Sequence, residues 1–402
     1  MIKIAVLGYG VVGSGVVQVL DKNSDRISIN AGQTIEVKYI LDVREFDDSP
    51  YKSLFAKDFQ TILNDPEIAV VVEVIGGVGA ALEYTRLSLE AGKNVVTSNK
   101  ELVAEYGSEL LELAREKEVN YLFEASVGGG IPVVRPLSQC MTANTINEIY
   151  GILNGTTNYI LTDMERNGAD FSDALKEAQK KGYAESDPTA DIEGHDTCRK
   201  ICILSSLAYS RHIYPKQVPT EGITAITISD IKYADKLGYK IKLLGRSRVV
   251  GEKVSVYVAP HLVSKHSTLA AVDDVMNGVV IRGNAVGNVV FCGAGAGKLP
   301  TASAVIADVI DAVKHLHARR WISWADGADD LIADPALLDS AWYIRTDADR
   351  SKVEKEFGSV IFADDTGTDT AFITTVMNEK MICELLNRGI TAHSKFRVLG
   401  DH

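Results

Sequence analysis

The chain has no run of eighteen uninterrupted apolar residues and no basic stretch ahead of its first apolar segment, so neither a membrane-crossing helix nor a secretory leader is expected. Cysteine is scarce. Five residues in 402 (Cys140, Cys198, Cys202, Cys292 and Cys383) form an odd, scattered set, which speaks against a disulfide framework and for reduced thiols in a cytoplasm. Cys198 and Cys202 share a helix face, but with no neighbouring pair they read as core and not as zinc ligands. Positive charge is in deficit: 42 Lys and Arg against 54 Asp and Glu give a net charge of −12. Nucleic acid and anionic membrane both want clustered cations, so neither is expected as the partner.

What is present is an ordinary globular composition, 46% hydrophobic and 24% charged, at a length that suggests two or three domains. Lys3 to Leu7 reads as a buried strand, followed at once by Gly8-Tyr9-Gly10-Val11-Val12-Gly13 and an apolar helix from Val16 to Leu20. This is GxGxxG between a strand and a helix. Its glycines permit the tight turn and the approach of backbone to a pyrophosphate, with the helix N-terminus facing the phosphates. Ile35 to Leu41 is the second strand, reached through an insertion at Asp21 to Thr34 that lengthens the usual spacing. Asp42 at its end suits an adenosine ribose, whereas Arg44 could receive a 2′-phosphate, so NAD and NADP both stay open.

Strand and helix then alternate. Ala69 to Val74 is a strand leading to Ile75-Gly76-Gly77, Tyr84 to Ala91 a helix, and Asn94 to Thr97 a strand ending in Ser98-Asn99-Lys100. Open α/β sheets bind ligands at such carboxyl ends, which makes Lys100 a candidate. Ser108 to Glu116 is a helix and Tyr121 to Glu124 a strand. The loop EASVGGGIP, Glu124 to Pro132, turns carbonyls inward and suits either a hard cation or an inter-domain hinge. Beyond it the rhythm breaks. Ile146 to Leu153 is a strand running into Asn154-Gly155-Thr156-Thr157-Asn158 and a helix over Tyr159 to Arg166; those residues cap a helix well, and their amides could equally hold a carboxylate. A strand around Val254 to Val258, a glycine cluster at Gly293 to Gly297 and a helix from Pro300 to about His317 follow.

Residues 182–200, GYAESDPTADIEGHDTCRK, concentrate the chemistry. Five carboxylates (Glu185, Asp187, Asp191, Glu193, Asp196) lead into a helix on which Asp196 and Lys200, four apart, share a face. That helix turns apolar after Lys200, so the lysine sits at the wet end of a buried element facing several acids, a candidate proton donor. A zinc or calcium site from Asp187, Asp191 and Glu193 competes, although the spacing lacks the regular EF-hand pattern. Toward the C-terminus, Trp321 to Asp339 reads as a linker. Strands at Trp342 to Arg345, Val360 to Ala363, Ala371 to Val376 and Ser394 to Val398, with helices at Asp349 to Phe357 and Glu379 to Arg388, give a βαββαβ order.

The motifs GYGVVGSGV, EVIGG, TSNKELVA, FEASVGGGIP, GILNGTTNYIL, GYAESDPTADIEGHDTCRK and GAGAGKLPTA, in that order over roughly residues 1–320, resemble the homoserine dehydrogenase family. The resemblance implies an α/β fold: a Rossmann dinucleotide-binding domain over 1–132 completed by a helix at 301–320, and an α+β substrate and dimerisation domain over 133–300. The 340–402 segment resembles an ACT module. The family's reaction is the NAD(P)-linked interconversion of L-homoserine and L-aspartate 4-semialdehyde, on the route to threonine and methionine. Carried over by position, Lys200 takes the proton-donor place, Lys100 that of the second lysine, and Asp191 supports the lysine. Gly155, Thr156, Tyr183, Glu185 and Asp196 fall on substrate positions. Ile75, Gly76, Ser98, Lys100 and Gly297 join the GxGxxG turn, Asp42 and Arg44 in holding the cofactor. Glu124, Val127, Gly129 and Ile131 fall on a sodium site made largely of backbone carbonyls. A homodimer or dimer of dimers is implied, and threonine is the effector an ACT module would suggest. The loop Asp347 to Lys352 lacks the glycine usual there, so a dimer-stabilising remnant is the other reading. Two alternatives stand beside the lead: aspartate-semialdehyde dehydrogenase, which needs a cysteine nucleophile, and a dinucleotide-sensing protein without turnover, which needs no proton donor.

Overall fold

A computed structural model of the protein describes residues 1–318, 322–328, 330–364 and 369–400. Five short strands come first: β1 (Ile2–Leu7), β2 (Ile35–Leu41), β3 (Ile68–Glu73), β4 (Asn94–Thr97) and β5 (Tyr121–Leu122). They pair in parallel in the order β2-β1-β3-β4-β5. Their centres are runs of Val, Ile and Leu without alternation, because helices cover both faces of such a sheet; Ile4 to Leu7 and Val70 to Val72 are all buried. The chain steps outward from β1 to β2 and returns past β1 to β3. The order reverses there, and a crevice opens at the carboxyl ends of the strands.

The insertion between β1 and β2 is itself folded: a helix at Ser24–Ala31 ends on Gly32 in the left-handed region. The late helix Lys298–Lys314 returns to pack on Val11–Lys22 and against β3 and β4 of the first sheet. The approach is close enough that a Cβ on Gly15 would meet the Lys298 carbonyl at 2.8 Å.

The second sheet has nine strands. Those of its first part are β6 (Ile146–Ile152), β7 (Tyr239–Val250), β8 (Lys253–Ser264), β9 (Met276–Gly283) and β10 (Gly287–Ala294). The rest are β11 (Trp342–Thr346), β12 (Val360–Phe362), β13 (Thr370–Thr374) and β14 (Ala392–Val398). Their order is β10-β9-β6-β7-β8-β14-β11-β13-β12. The helix Gly155–Asn167 packs on β7 and β9, and His195–Tyr209 on β6, β7 and β8. The last four strands, with helices at Arg350–Phe357 and Glu379–Leu386, keep the βαββαβ order, and they join the rest through parallel pairing of β14 with β8.

The stretch expected to be a linker is packed. Trp321, its first residue, lies outside the described residues, but Ile322 and Trp324 are buried, Ala325 bridges Arg211, and Ile332 bridges Val254. Trp324 donates from Nε1 to His212 Nδ1 at 2.9 Å and covers Gly107. No helix among the described residues is long and apolar enough to cross a membrane.

Candidate active site

A cleft of about 540 Å³ lies between the two sheets, at the carboxyl ends of β1, β3 and β4. Its wall on the side of the first sheet begins at the glycine turn. Gly8 has φ +96°, and a Cβ on Gly13 would collide with the Gly8 carbonyl, so the turn closes only without side chains at those places. Gly10 precedes the first helix, whose opening residues Val11 and Val12 line the cleft. Asp42 stands at the end of β2 and accepts from the Tyr9 amide at 2.6 Å, the Arg44 amide at 2.9 Å and the Arg44 guanidinium at 3.0 Å. Burial works against the Asp42 carboxylate, but these donors outweigh it and hold its pKa down at about 2. The ribose acceptor and the phosphate-binding cation of the sequence expectation therefore sit on one another, beside the turn. A bare glycine cradle with a helix N-terminus behind it fits a dinucleotide.

Ile75, Gly76 and Ser98 continue the wall. Beneath them lies a residue the sequence did not single out. Glu73 is fully buried, accepting from the Ile75 amide at 2.7 Å and the Thr97 hydroxyl at 2.5 Å. Burial pushes its pKa up to about 7 against those two donors. Asn99 caps the helix Lys100–Glu116 through the Leu102 amide and donates to the carbonyls of Ile75 and Gly77. Lys100 is consequently the first residue of a helix that the sequence suggested would begin only at Ser108. The cap, not an apolar stripe, starts it. The helix points Lys100 and Glu101 across the cleft.

On the far wall Lys200 is almost fully buried at the start of His195–Tyr209. Its Nζ donates to Asp196 Oδ2 at 2.8 Å and to the Leu153 carbonyl at 2.7 Å, and it reaches the cleft. Lys100 pairs with the other oxygen of Asp196, so one carboxylate bridges two ammonium groups from opposite walls. Glu101 and Arg199 pair alongside at 3.1 Å. Burial lowers the Lys200 pKa, with Asp196 opposing and Lys100 adding to the shift. For Lys100 burial also works against the ammonium, but Asp196 outweighs it and the pKa is raised. Asp196 itself is held well below the usual carboxylate range; burial opposes this and the two lysines prevail. Asp191 does not touch either lysine by hydrogen bond. It accepts from Asn154 Nδ2, and burial together with Asp196 raises its pKa.

Of the remaining expected residues, Glu185 is exposed and lines the cleft. Gly155 opens its helix against the Val275 carbonyl, where a Cβ would sit at 2.7 Å. Thr156 donates its hydroxyl to the Tyr183 carbonyl at 2.7 Å, while the Tyr183 ring rests beside Tyr159 with 44% of the residue exposed. Asp187 is spent on Thr189. Among the described residues no cluster of three His, Cys, Asp or Glu is arranged for a metal, which removes the reading of Asp187, Asp191 and Glu193 as a zinc or calcium site.

The EASVGGGIP loop closes the cleft. Val127 and Gly129 line it, Ile131 donates to the Gly128 carbonyl, and Gly295 presses on Gly129 so that a Cβ there would collide with its carbonyl. Glu124 is buried and its carboxylate accepts from the amides of Val133, Val134 and Arg135. A cation in this loop would therefore rest on main-chain oxygens. Asp308 accepts from the Glu124 amide and pairs with Arg135, tying the loop to the helix Lys298–Lys314, whose N-cap is Gly297. None of the five cysteines lines the cleft.

Comparison with known proteins points one way. The homoserine dehydrogenase NAD-binding domain model matches residues 8–124, and the homoserine dehydrogenase model matches residues 132–310. A homoserine dehydrogenase of Neisseria gonorrhoeae is 44% identical over 319 residues, covering 79% of this chain and 73% of that one. A solved homoserine dehydrogenase from Thiobacillus denitrificans superimposes with a TM-score of 0.90 at 36% identity, covering 99% of this chain and 98% of that one. A hyperthermophilic archaeal homoserine dehydrogenase solved in complex with NADPH matches at a TM-score of 0.65 and 28% identity, over 77% of this chain and 97% of that one.

Proposed function

The chain belongs to the homoserine dehydrogenase family, and we infer that its reaction turns on the Lys200 ammonium. It is an NAD(P)-dependent oxidoreductase that interconverts L-homoserine and L-aspartate 4-semialdehyde, a step toward threonine and methionine. When bound, the dinucleotide supplies or accepts the hydride. What the chain must do is manage the proton and hold the amino acid. Lys200 spends two donor directions on Leu153 and Asp196, which leaves a third for an oxygen in the cleft. As an ammonium it polarises the aldehyde oxygen and gives up a proton as the alkoxide develops; in the reverse direction the neutral amine takes the hydroxyl proton. Burial makes that neutral form accessible. Lys100 on the opposite wall shares Asp196 and is proposed to steer the same oxygen. Glu185, exposed at the mouth, suits the substrate ammonium, with Gly155, Thr156 and Tyr183 shaping that end and Asp191 supporting the lysines through the field.

The observation that carries this reading is the buried Lys200 amine at the floor of the glycine-walled cleft. Following NAD(P)H formation from L-homoserine tests it. Lys200→Ala is expected to lose about a hundredfold or more in kcat with KM within about threefold; near-normal kcat overturns the assignment. A cysteine nucleophile, as aspartate-semialdehyde dehydrogenase chemistry requires, has no support, since no cysteine lines the cleft.

Two further features extend the reading. Sodium is proposed at the main-chain oxygens of Glu124, Val127, Gly129 and Ile131, supported by a Glu124 carboxylate already committed to three amides. Equal melting temperatures in sodium and choline chloride would remove it. The C-terminal βαββαβ unit is proposed as an ACT-like module in a homodimer, bearing either on threonine feedback or on assembly alone. Light scattering and turnover, each with and without threonine, separate those two roles.

A further inference from the structure

The Lys200 assignment leaves without a task a buried polar side chain that touches the counter-ion of that amine. Asn154 follows Leu153, whose carbonyl holds the Lys200 amine, and it is 5% exposed. Its Oδ1 accepts from the Thr157 amide at 2.8 Å and caps the helix Gly155–Asn167. Capping needs only that acceptor, and serine or aspartate would provide it as well. The NH2 group does something else. It donates to Asp191 Oδ1 at 2.7 Å and to Asp196 Oδ2 at 2.8 Å, spending both hydrogens on two carboxylates from different elements. Asp196 Oδ2 is the same oxygen that accepts from Lys200. The two residues at the end of β6 thus grip the ammonium from one side and its counter-ions from the other.

Like charges this close disfavour one another, and burial makes that worse. A neutral double donor between them offsets part of the repulsion and withdraws negative potential from the lysine. We propose that Asn154 is a positioning residue for proton transfer: its NH2 clamps Asp191 to Asp196 as one anionic unit and so sets how firmly Lys200 keeps its proton. This rests on Lys200 being the proton-transferring group. The charged groups around that amine are Asp196 and Arg199 on its own helix, Asp191 on the preceding turn, Lys100 and Glu101 from the opposite wall, and Glu185 at the mouth.

The test uses two variants that keep the cap. Asn154→Ser retains an oxygen for the Thr157 amide but has no NH2 to bridge the acids; Asn154→Asp retains the cap and adds a third carboxylate. Both are measured in the full-length protein for melting temperature, kcat, KM and the pH dependence of homoserine oxidation, beside Lys200→Ala. Without the amide the acids hold the ammonium more tightly, so the pH at which the neutral amine becomes available moves up. Asn154→Ser is expected to melt no more than a few degrees below the wild type, lose about threefold to tenfold in kcat with KM within about threefold, and shift the rising limb of its profile upward by about half a unit to one unit. Asn154→Asp is expected to lose more than Asn154→Ser. A Ser variant with the wild-type profile, a loss matched by a fall in melting temperature with the limb unmoved, or an Asp variant as active as the wild type would each overturn the clamp. Lys200→Ala retaining turnover would instead sink the reading beneath it, whatever the Asn154 variants do.

Discussion

Glu73 illustrates how a single residue serves the cleft wall without facing it. Its carboxyl group sits under the Ile75-Gly76 segment, holding the Ile75 amide and the Thr97 hydroxyl, and Thr97 in turn accepts from the Asn99 amide that starts the next helix. The group is buried with no cationic partner among the described residues, so its pKa rises from 4.5 to about 7. Because the folded state holds the proton more tightly than the unfolded chain, this residue costs stability as pH rises, beginning near pH 4.5 and reaching its full effect above 7. The shift from 4.5 to about 7 corresponds to a cost on the order of 3 kcal/mol. Glu73→Gln is isosteric with the protonated form and cannot ionise. Its melting temperature is expected to match the wild type near pH 5 and to exceed it progressively toward pH 8; parallel melting curves across that range would refute the account. None of this was legible in the sequence. Glu73 closes an apolar strand and reads as the polar end of it, since its partners lie two and twenty-four residues away.

At the scale of elements, the parts with local signatures were readable and the parts defined by partners were not. The GxGxxG turn, β2, β4 and the helix carrying Lys200 follow from glycine spacing, apolar runs and an abrupt change of polarity along one helix. β7 alternates Lys240, Lys242, Arg246 and Arg248 with other residues, the pattern of a strand with one wet face. Yet Lys242 is 1% exposed, held by Asn158, the Val272 carbonyl and Asp273. Buried cations announce themselves only through partners far off in the chain. The supposed linker failed for the same reason. Its Asp, Ala and Gly content suggests slack chain, whereas Trp324 anchors it on Gly107 of the helix that presents Lys100. His212 joins the two, accepting at Nδ1 from Trp324 and the Ser108 amide while Nε2 faces the Ala104 carbonyl. Trp324→Ala removes a buried ring and a hydrogen bond, at a cost of about 3–5 kcal/mol, and should lower the melting temperature by several degrees. An unchanged melting temperature would mean the segment is the loose connector its composition suggests.

For the molecule as a whole, the C-terminal unit is built into the second sheet. Main-chain pairing of β14 with β8 makes the joint, and such pairing leaves no residue signature, which is why the sequence reads as an appended module. Side chains reinforce it. Arg345 and the Tyr343 hydroxyl both reach Asp230, which is fully buried, and the Arg397 guanidinium lies between the rings of Tyr257 and Trp342 while pairing with Glu379. A chain ending at residue 339 would bare the β8 edge and leave Asp230 without its cation, a loss of about 3–5 kcal/mol from the ion pair alone. Such a chain is expected to aggregate or unfold at temperatures where the full chain is native; recovery of a soluble, fully active truncation would contradict this.

In the proposed reaction the cleft, its glycine wall and the two lysines on Asp196 converge on one event, the movement of a proton between the Lys200 amine and a substrate oxygen. Single-turnover hydride transfer reads that event without the later release steps. With NADPH affinity measured in parallel by fluorescence, Lys200→Ala is predicted to bind the dinucleotide as the wild type does and to reduce aspartate semialdehyde at least about a hundredfold more slowly. Transfer at the wild-type rate, in a variant that binds NADPH normally, would contradict the account.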